Sequence, residues 1–131
     1  EDSYSLLPLF LKDKTDIFKR SATIHHSING SFAIRKGEWK LIFCPDSGGW
    51  SDPRPNSELV KELPKYQLYN LDKDPGEQQN LYKDNLEIAK KLEMEMISII
   101  NNGRSSVGKN QENEKPLNNK EWQQIKIFNN N

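Results

Sequence analysis

The chain has one cysteine, Cys44, among 131 residues. That leaves no internal disulfide and no multi-cysteine metal site to build. It also lacks any apolar run long enough to cross a bilayer. Charge of one sign is missing too: Lys+Arg and Asp+Glu stand at 19 each. Net charge therefore draws the chain to neither nucleic acid nor an anionic membrane, and neither is expected as a partner. No basic stripe interleaved with aromatics, the usual footprint of nucleic-acid binding, is present. Apolar residues are scarce at 34%, and the shortage is local, because residues 101–121 are almost entirely polar. The length suits one small domain with a single modest core. There is no signal peptide and the first residue is Glu1, as expected of a piece cut from a longer protein.

What is present divides into blocks. Residues 1–20 hold a short apolar cluster, Leu6, Leu7, Leu9, Phe10 and Leu11, with Pro8 inside it. Asp2 or Ser3 is placed to cap a brief helical turn, and Pro8 argues against a long helix. The Lys- and Asp-rich run from Lys12 to Arg20 reads as a solvated connection, so residues 1–20 are expected to be a joint. From about Ala22 to Phe43 the hydrophobic period is two. Asn29-Gly30 favours a type I′ hairpin turn, and Lys36-Gly37-Glu38 supplies a second turn. Trp39, Leu41 and Phe43 then alternate with Lys40 and Ile42, which predicts an antiparallel meander with one buried face.

Residues 44–65, with four prolines and Gly48-Gly49, form a long excursion of the kind that often carries function. Tyr66 to Leu71 resumes a fourth strand, and Pro75-Gly76 suits the centre of a type II turn. Asp84 and Glu87 have capping-box spacing. Leu86, Ala89, Leu92, Met96 and Ile100 recur at helical spacing, Glu87 and Lys91 are placed to pair, and Gly103 is placed to end the helix. The expected fold is α+β: a four-stranded antiparallel sheet packed against a C-terminal amphipathic helix, with a long loop between strands 3 and 4. Beyond Gly103 the polar composition argues against order, until Trp122, Ile125, Ile127 and Phe128 offer a docking segment.

Three stretches in order carry a resemblance. They are His25-His26-Ser27-Ile28-Asn29-Gly30-Ser31-Phe32-Ala33-Ile34-Arg35-Lys36-Gly37-Glu38-Trp39-Lys40-Leu41-Ile42, then Gly48-Gly49-Trp50, then Leu68-Tyr69-Asn70-Leu71-Asp72-Lys73-Asp74-Pro75-Gly76-Glu77-Gln78-Gln79-Asn80-Leu81. With the Gly103-Arg104-Ser105 ending, they resemble the C-terminal subdomain of a formylglycine-dependent, arylsulfatase A-like sulfatase of the alkaline phosphatase superfamily. The resemblance implies a joint at 1–20, the subdomain at 21–103 and a polar tail at 104–131. It also implies a catalytic domain elsewhere in the same parent chain, where a Cys/Ser-x-Pro-x-Arg signature yields formylglycine and calcium steadies the sulfate. The parent is expected to be periplasmic or secreted and to act on a sulfated small molecule or glycan.

This chain carries neither the nucleophile nor the metal site. Cys44 is followed by Pro45, Asp46, Ser47 and Gly48, so the signature's proline and arginine are both out of place. In Ser51-Asp52-Pro53-Arg54 the arginine comes one residue early. Calcium needs several converging oxygens. Asp84-Asn85 reads instead as a helix start, and Asp72 and Asp74 as turn residues that bond nearby amides. No catalytic residue, metal ligand or cofactor is expected here, and the isolated chain is expected to be inactive.

The candidate substrate contacts lie on the long loop and first strand. Trp50 is suited to stack on a sugar or aryl ring, Arg54 to pair with an anion and Ser47 to bond a hydroxyl; alternatively, Trp50 pins the loop to the body. Adjacent His25 and His26 point to opposite strand faces and cannot chelate one ion together. They read first as structural, and otherwise as contacts to a substrate held by the larger domain. Two further classes remain open: a self-standing α+β binding or interaction module, and a fragment of a related phosphate or phosphonate ester hydrolase. Ile28, Ile42, Tyr69 and Leu71 cannot share a face with Trp39, Leu41, Phe43 and Leu68. An apolar second face is therefore expected, covered by the larger domain, by a homodimer of the fragment, or by the 116–131 tail.

Overall fold

The computed structural model describes residues 3–11, 20–114 and 122–129. A one-turn helix α1 (Leu7–Phe10) comes first, followed by strands β1 (Thr23–His26), β2 (Phe32–Lys36) and β3 (Trp39–Ile42). A short 3-10 turn (Glu58–Glu62), strand β4 (Gln67–Asn70) and the long helix α2 (Leu86–Asn102) come next. A second 3-10 turn (Gln123–Ile125) leads into α3 (Lys126–Asn129). The expected Lys12–Arg20 connection lies outside the described residues except for Arg20.

The four strands form one antiparallel sheet in sequence order. Its register aligns Ile24, Ile34, Leu41 and Leu68 in a single row. Ile34, Leu41 and Leu68 are completely buried. Helix α2 lies over this row and buries Ala89, Leu92 and Met96 at three- and four-residue spacing, as an amphipathic helix must. Leu86, counted in that stripe from the sequence, is exposed instead. At the sheet's end, aromatic rings meet edge to face: Phe43 on Tyr66 at 5.2 Å and Tyr66 on Tyr82 at 5.7 Å. The Tyr66 hydroxyl donates to Glu93 Oε1 (2.8 Å). Burial, and then this carboxylate, push its pKa well above the usual phenol value.

Local chemistry departs from the sequence expectation at two turns and two helix starts. The first hairpin is not type I′ on Asn29-Gly30, because Asn29 does not have positive φ. Gly30 N–H bonds the Ser27 carbonyl (3.0 Å), so Ile28 and Asn29 are the central residues and Gly30 (φ 85°) follows them. The Asn29 side chain closes this turn by accepting from the Ser27 hydroxyl (2.7 Å) and the Ser31 amide (2.9 Å). Around Pro75-Gly76 the left-handed residue is Glu77 (φ 54°), not Gly76, which rules out type II. The Asp74 carboxylate sets that bend by accepting from the Gln78 and Gln79 amides (2.7 and 2.8 Å). Helix α2 is capped by Asn85 rather than Asp84, and without a side-chain bond to the helix. The Asn85 amide instead donates back to the Leu81 carbonyl (3.2 Å). At α1, the Ser5 hydroxyl accepts from the Leu7 amide (3.3 Å) where Ser3 is one expected cap; the other, Asp2, lies outside the described residues. The Glu87–Lys91 pair is absent among the described ion pairs, where Lys36 with Glu95 (2.7 Å) joins α2 to the sheet.

The described part of the polar tail just after α2 carries more internal bonding than its composition suggests. Gly103 ends α2 in the left-handed region (φ 66°), as the sequence suggests. Arg104 then folds residues 104–109 around its guanidinium by donating to the carbonyls of Ser106 (2.9 Å), Val107 (3.0 Å) and Lys109 (3.2 Å). Charge-assisted bonds to carbonyls here replace an apolar core. Further on, Phe128 is buried against Phe43 (4.9 Å) and Phe32 (6.2 Å). The tail therefore docks on the α2 side of the sheet, not on the second face proposed for it. That second face is not broadly apolar either. Its rows are His25–Ala33–Ile42–Gln67 and Thr23–Arg35–Lys40–Tyr69, and Lys40 pairs with Glu77 at 2.6 Å. The outer edge of β4 is covered as well, because Leu81 N–H bonds the Leu68 carbonyl (2.8 Å). The Asn80 amide spans the Leu68 amide (3.0 Å) and the Tyr66 carbonyl (3.1 Å).

Two outcomes follow for solution measurements. Phe128→Ala should lower unfolding stability in denaturant by about 3 kcal/mol, as expected for a buried Phe. Trp122→Ala, at a half-exposed site, should cost about 1 kcal/mol or less; equal costs would mean the tail is not docked through Phe128. Asp74 gives a pH signature. The amides of Gln79 and Gln78 hold its carboxyl below the usual aspartate range. A carboxyl lowered on folding stabilises the fold above its unfolded pKa, and that contribution is lost as pH falls through the folded value. Asp74→Asn should therefore flatten the loss of stability below about pH 4, measured as melting temperature against pH.

Candidate functional site

The long loop leaves β3 with one further sheet bond, from the Phe43 amide to the Phe32 carbonyl (2.9 Å). Its root is then gripped by the second face of β4. The Gln67 side-chain amide donates to the carbonyls of Cys44 and Asp46, each at 2.9 Å. Gln67 Oε1 in turn accepts from the Tyr69 hydroxyl (2.8 Å). Tyr69 is buried, which raises its pKa; the charges of Glu77 and Asp74 act in the same direction. Cys44 is buried at the strand end, with its thiol donating to the Asp46 carbonyl (3.3 Å). Burial pushes that thiol's pKa up, so it is a poor nucleophile.

Beyond the root, the loop closes on itself. Asp46 Oδ1 accepts from the Gly48 amide (2.8 Å), and the Ser47 amide bonds the Pro53 carbonyl (3.0 Å). The Ser47 hydroxyl donates to the Ser51 carbonyl (2.7 Å) and accepts from the Gly49 amide (3.2 Å). The closed loop then rests on the first hairpin turn, where the Asn29 amide bonds the Gly48 carbonyl (3.2 Å). Gly48 is required by this seat, and Gly49 fits it closely. Gly48 has φ 64°, and a Cβ there would meet Ser27 Cβ and Oγ at 2.6 Å. A Cβ on Gly49 would press on Ile28 Cγ2 at 3.2 Å.

The result is a fixed platform with an indole in water. Trp50 is 79% exposed and Ile28, on the turn beneath the loop, is 69% exposed. Trp50 therefore does not pin the loop; Gln67, Asp46, Ser47 and Asn29 do. Among the described residues, the Arg54 side chain is held by a solvent-exposed contact to Asp52 at 3.8 Å, a type of pair that contributes little. Its charge is available to an anion. The Ser47 hydroxyl proton is used within the loop, which leaves one acceptor lone pair for a ligand.

Trp50, Arg54 and Ser47 thus share one loop, while the two histidines separate. His25 is exposed on the face away from α2 and pairs with Ala33, and β1 runs from it into the Ser27–Ser31 turn. His26 lies on the α2 side, edge to face with Phe32 at 4.4 Å. It borders a separate cleft of about 480 Å³ between β1, α2 and the tail, lined by Ile24, Phe32, Met96, Trp122 and Ile125 among others. Sequence reasoning missed three parts of the platform: Gln67, Asn29 as a side-chain clamp, and Ile28 as its apolar neighbour. Gln67 was discoverable as a polar residue between apolar ones in a short strand. Ile28 is visible as an isoleucine in a turn, although strand alternation alone places it on an interdomain face. Among the described residues no group of three His, Cys, Asp or Glu side chains is placed to hold a metal ion.

No protein-family model and no curated protein matches the chain. Among solved structures, the fold is similar to part of a sulfatase of Bacteroides thetaiotaomicron, described with that bacterium's metabolism of multiple glycosaminoglycans through a versatile core genetic locus. The TM-score is 0.52 and the identity 27%, over 74% of this chain. The match spans only 19% of the sulfatase. This agrees with the resemblance drawn from the sequence, that of a sulfatase C-terminal subdomain.

The platform makes a direct prediction. Gly48→Ala should destabilise the fold by about 1–2 kcal/mol, because alanine resists positive φ and its methyl would strike Ser27. Gly37→Ala is the control: it shares positive φ but has open space around it. Equal midpoints for the two variants in denaturant unfolding would show that the loop does not seat on the turn.

Proposed function

We propose that the chain is the non-catalytic C-terminal subdomain of a longer sulfatase that hydrolyses sulfate esters, with sulfated carbohydrate as the favoured substrate class. The observation that carries this reading is the agreement of fold and 27% identity with the solved sulfatase over 74% of the chain. The residues at hand do not fit formylglycine or calcium. Cys44 is buried with its thiol turned to a backbone carbonyl, and its flanking residues break the signature. Both groups belong to the larger domain, and the parent is periplasmic or secreted on this reading.

Within that parent the chain's own contribution is positional. The Gln67-anchored loop presents Trp50 as a stacking surface, with Arg54 four residues on for an anionic substituent and His25 at the foot of the neighbouring turn. A ring stacked on a preorganised indole loses little entropy to loop ordering, so such a platform favours extended substrates over small ones.

The gene upstream of Glu1 is the first test. A Cys/Ser-x-Pro-x-Arg signature there, with hydrolysis of 4-nitrophenyl sulfate by the purified parent, supports the reading. A start codon directly before Glu1 would make the chain a free-standing module and sink it. In the parent, Trp50→Ala should reduce kcat/KM on a sulfated oligosaccharide by roughly tenfold to a hundredfold, the value of one stacked ring at about 1–3 kcal/mol. Turnover of the small aryl sulfate and the melting temperature should barely change, since Trp50 is exposed. Equal loss on both substrates would remove Trp50 from the substrate site.

A further inference from the structure

Asn-Gly pairs stand at Asn29-Gly30 and at Asn102-Gly103, and the fold treats them differently. In such a pair the next backbone nitrogen can add to the asparagine side-chain carbon, because glycine has no side chain to block the approach. Asn29 is exposed on the first hairpin turn, followed by Gly30 at φ 85°. Asn102 is instead the last residue of α2. Its amide is tied at both ends, accepting from Asn110 Nδ2 (3.0 Å) and donating to Ser98 Oγ (3.4 Å).

The Asn29 amide is held by its oxygen. Oδ1 accepts from both the Ser27 hydroxyl (2.7 Å) and the Ser31 amide (2.9 Å). A backbone N–H can only donate, so the atom facing Ser31 is the oxygen. Two donors on one carbonyl oxygen draw electrons from Cγ. They also stand where negative charge collects when a nucleophile adds to that carbon, which is the arrangement of an oxyanion hole. Among the described residues Nδ2 makes no hydrogen bond, so it is free to leave. The Gly30 N–H bonds the Ser27 carbonyl (3.0 Å). That bond must open before base can take the proton, and openings cost least at an exposed tip.

We propose that Asn29 converts itself to isoaspartate in the folded chain, with the Ser27 hydroxyl and Ser31 amide stabilising the transition state, and so unseats the Trp50 loop. Hydroxide removes the Gly30 amide proton. The Gly30 nitrogen then bonds Asn29 Cγ, and Oδ1 takes up the negative charge. As the carbonyl re-forms, the Cγ–Nδ2 bond breaks and Nδ2 leaves as ammonia, taking a proton from water and regenerating hydroxide. A five-membered succinimide remains. Water opens the ring by breaking the bond between the Asn29 carbonyl carbon and the Gly30 nitrogen. The chain now runs through Cγ, one atom longer, and the former carbonyl carbon is a free carboxylate.

This chemistry takes place under the loop. The Asn29 amide bonds the Gly48 carbonyl (3.2 Å), and Ser27 fills the space where a Cβ on Gly48 would fall. An added backbone atom shifts Asn29 against Ser27, so the turn no longer presents both to Gly48. The Gln67 bonds to Cys44 and Asp46 lie at the loop root and stay in place. The loop is released at its tip while the sheet persists. None of this depends on the reading of the chain as part of a sulfatase.

Incubation of the chain at mildly alkaline pH, followed by peptide mapping with isoaspartate-specific methylation, tests the site. Isoaspartate should form at Asn29 in proportion to hydroxide, and about tenfold faster than at Asn102, the scale of one or two hydrogen bonds to the developing charge. Ser27→Ala should slow conversion about two- to tenfold, because one donor is lost. In the converted chain the Gly48 and Gly49 amides should exchange with deuterium faster, and the Phe43 amide should not. Freshly prepared Asn29→Asp controls for charge: a carboxylate accepts the same two bonds without lengthening the chain, so its loop should exchange like the wild type. Conversion at Asn102 ahead of Asn29, or a Ser27→Ala chain that converts as fast as the wild type, would overturn the proposal. So would unchanged loop exchange after conversion, or an Asn29→Asp loop as loose as the converted one.

Discussion

Every feature of this fold depends on one register. Ile24, Ile34, Leu41 and Leu68 lie in a single row across four strands, and three of them are completely dry. Because side chains alternate, the adjacent row His25–Ala33–Ile42–Gln67 is forced to face the other way. A slip of one residue on β4 would expose Leu68 and turn Gln67 into the core. It would strand a buried amide and release the loop root in the same step. Core packing and loop placement are therefore one constraint, not two.

That coupling explains how an indole can be held in water on an irregular segment. The loop contributes little apolar burial of its own, so its order comes from backbone groups satisfied in pairs: Gln67 on two carbonyls, Ser47 on two loop partners, Asp46 on Gly48. Each such bond contributes about 0.5–1.5 kcal/mol net. Their effect is less to add stability than to remove alternatives, since each bond fails if the loop shifts by a residue. The glycines belong to the same logic, because Gly48 lets two backbones approach where any side chain would strike Ser27.

The architecture was legible in the sequence because it rests on period. The alternation from Phe32 to Phe43 gave the meander, and the spacing of Ala89, Leu92 and Met96 gave the helix. The turns were less legible, because Asn-Gly and Pro-Gly pairs report a preference that neighbouring side chains can override. Asn29 uses its amide to close a longer turn, and Asp74 captures two amides and displaces the left-handed residue onto Glu77. Residues 104–109 were hard to read for another reason. Their composition argues against order beyond Gly103, but over residues 104–109 a single guanidinium organises several carbonyls, and that depends on geometry rather than hydrophobicity. Of the candidate site, the loop and Trp50 were visible, whereas their anchors on β4 and the first turn were not, since those contacts join residues far apart in sequence.

Among the described residues, the exposed apolar side chains divide by the backbone that carries them. Trp50 and Ile28 stand on a platform fixed by hydrogen bonds, where exposure costs the fold little because nothing must move to reach them. Leu6, Leu7, Phe10 and Leu11 stand on one turn of helix held by Tyr4 at its root, where exposure comes with weak local structure. A rigid exposed aromatic suits a ligand that comes and goes, because binding then orders little protein. A marginal apolar turn suits a permanent neighbour, because its ordering cost is met once, during folding, and never again. The two exposed apolar sets differ in this chain in how the backbone that carries them is held, more than in their hydrophobicity.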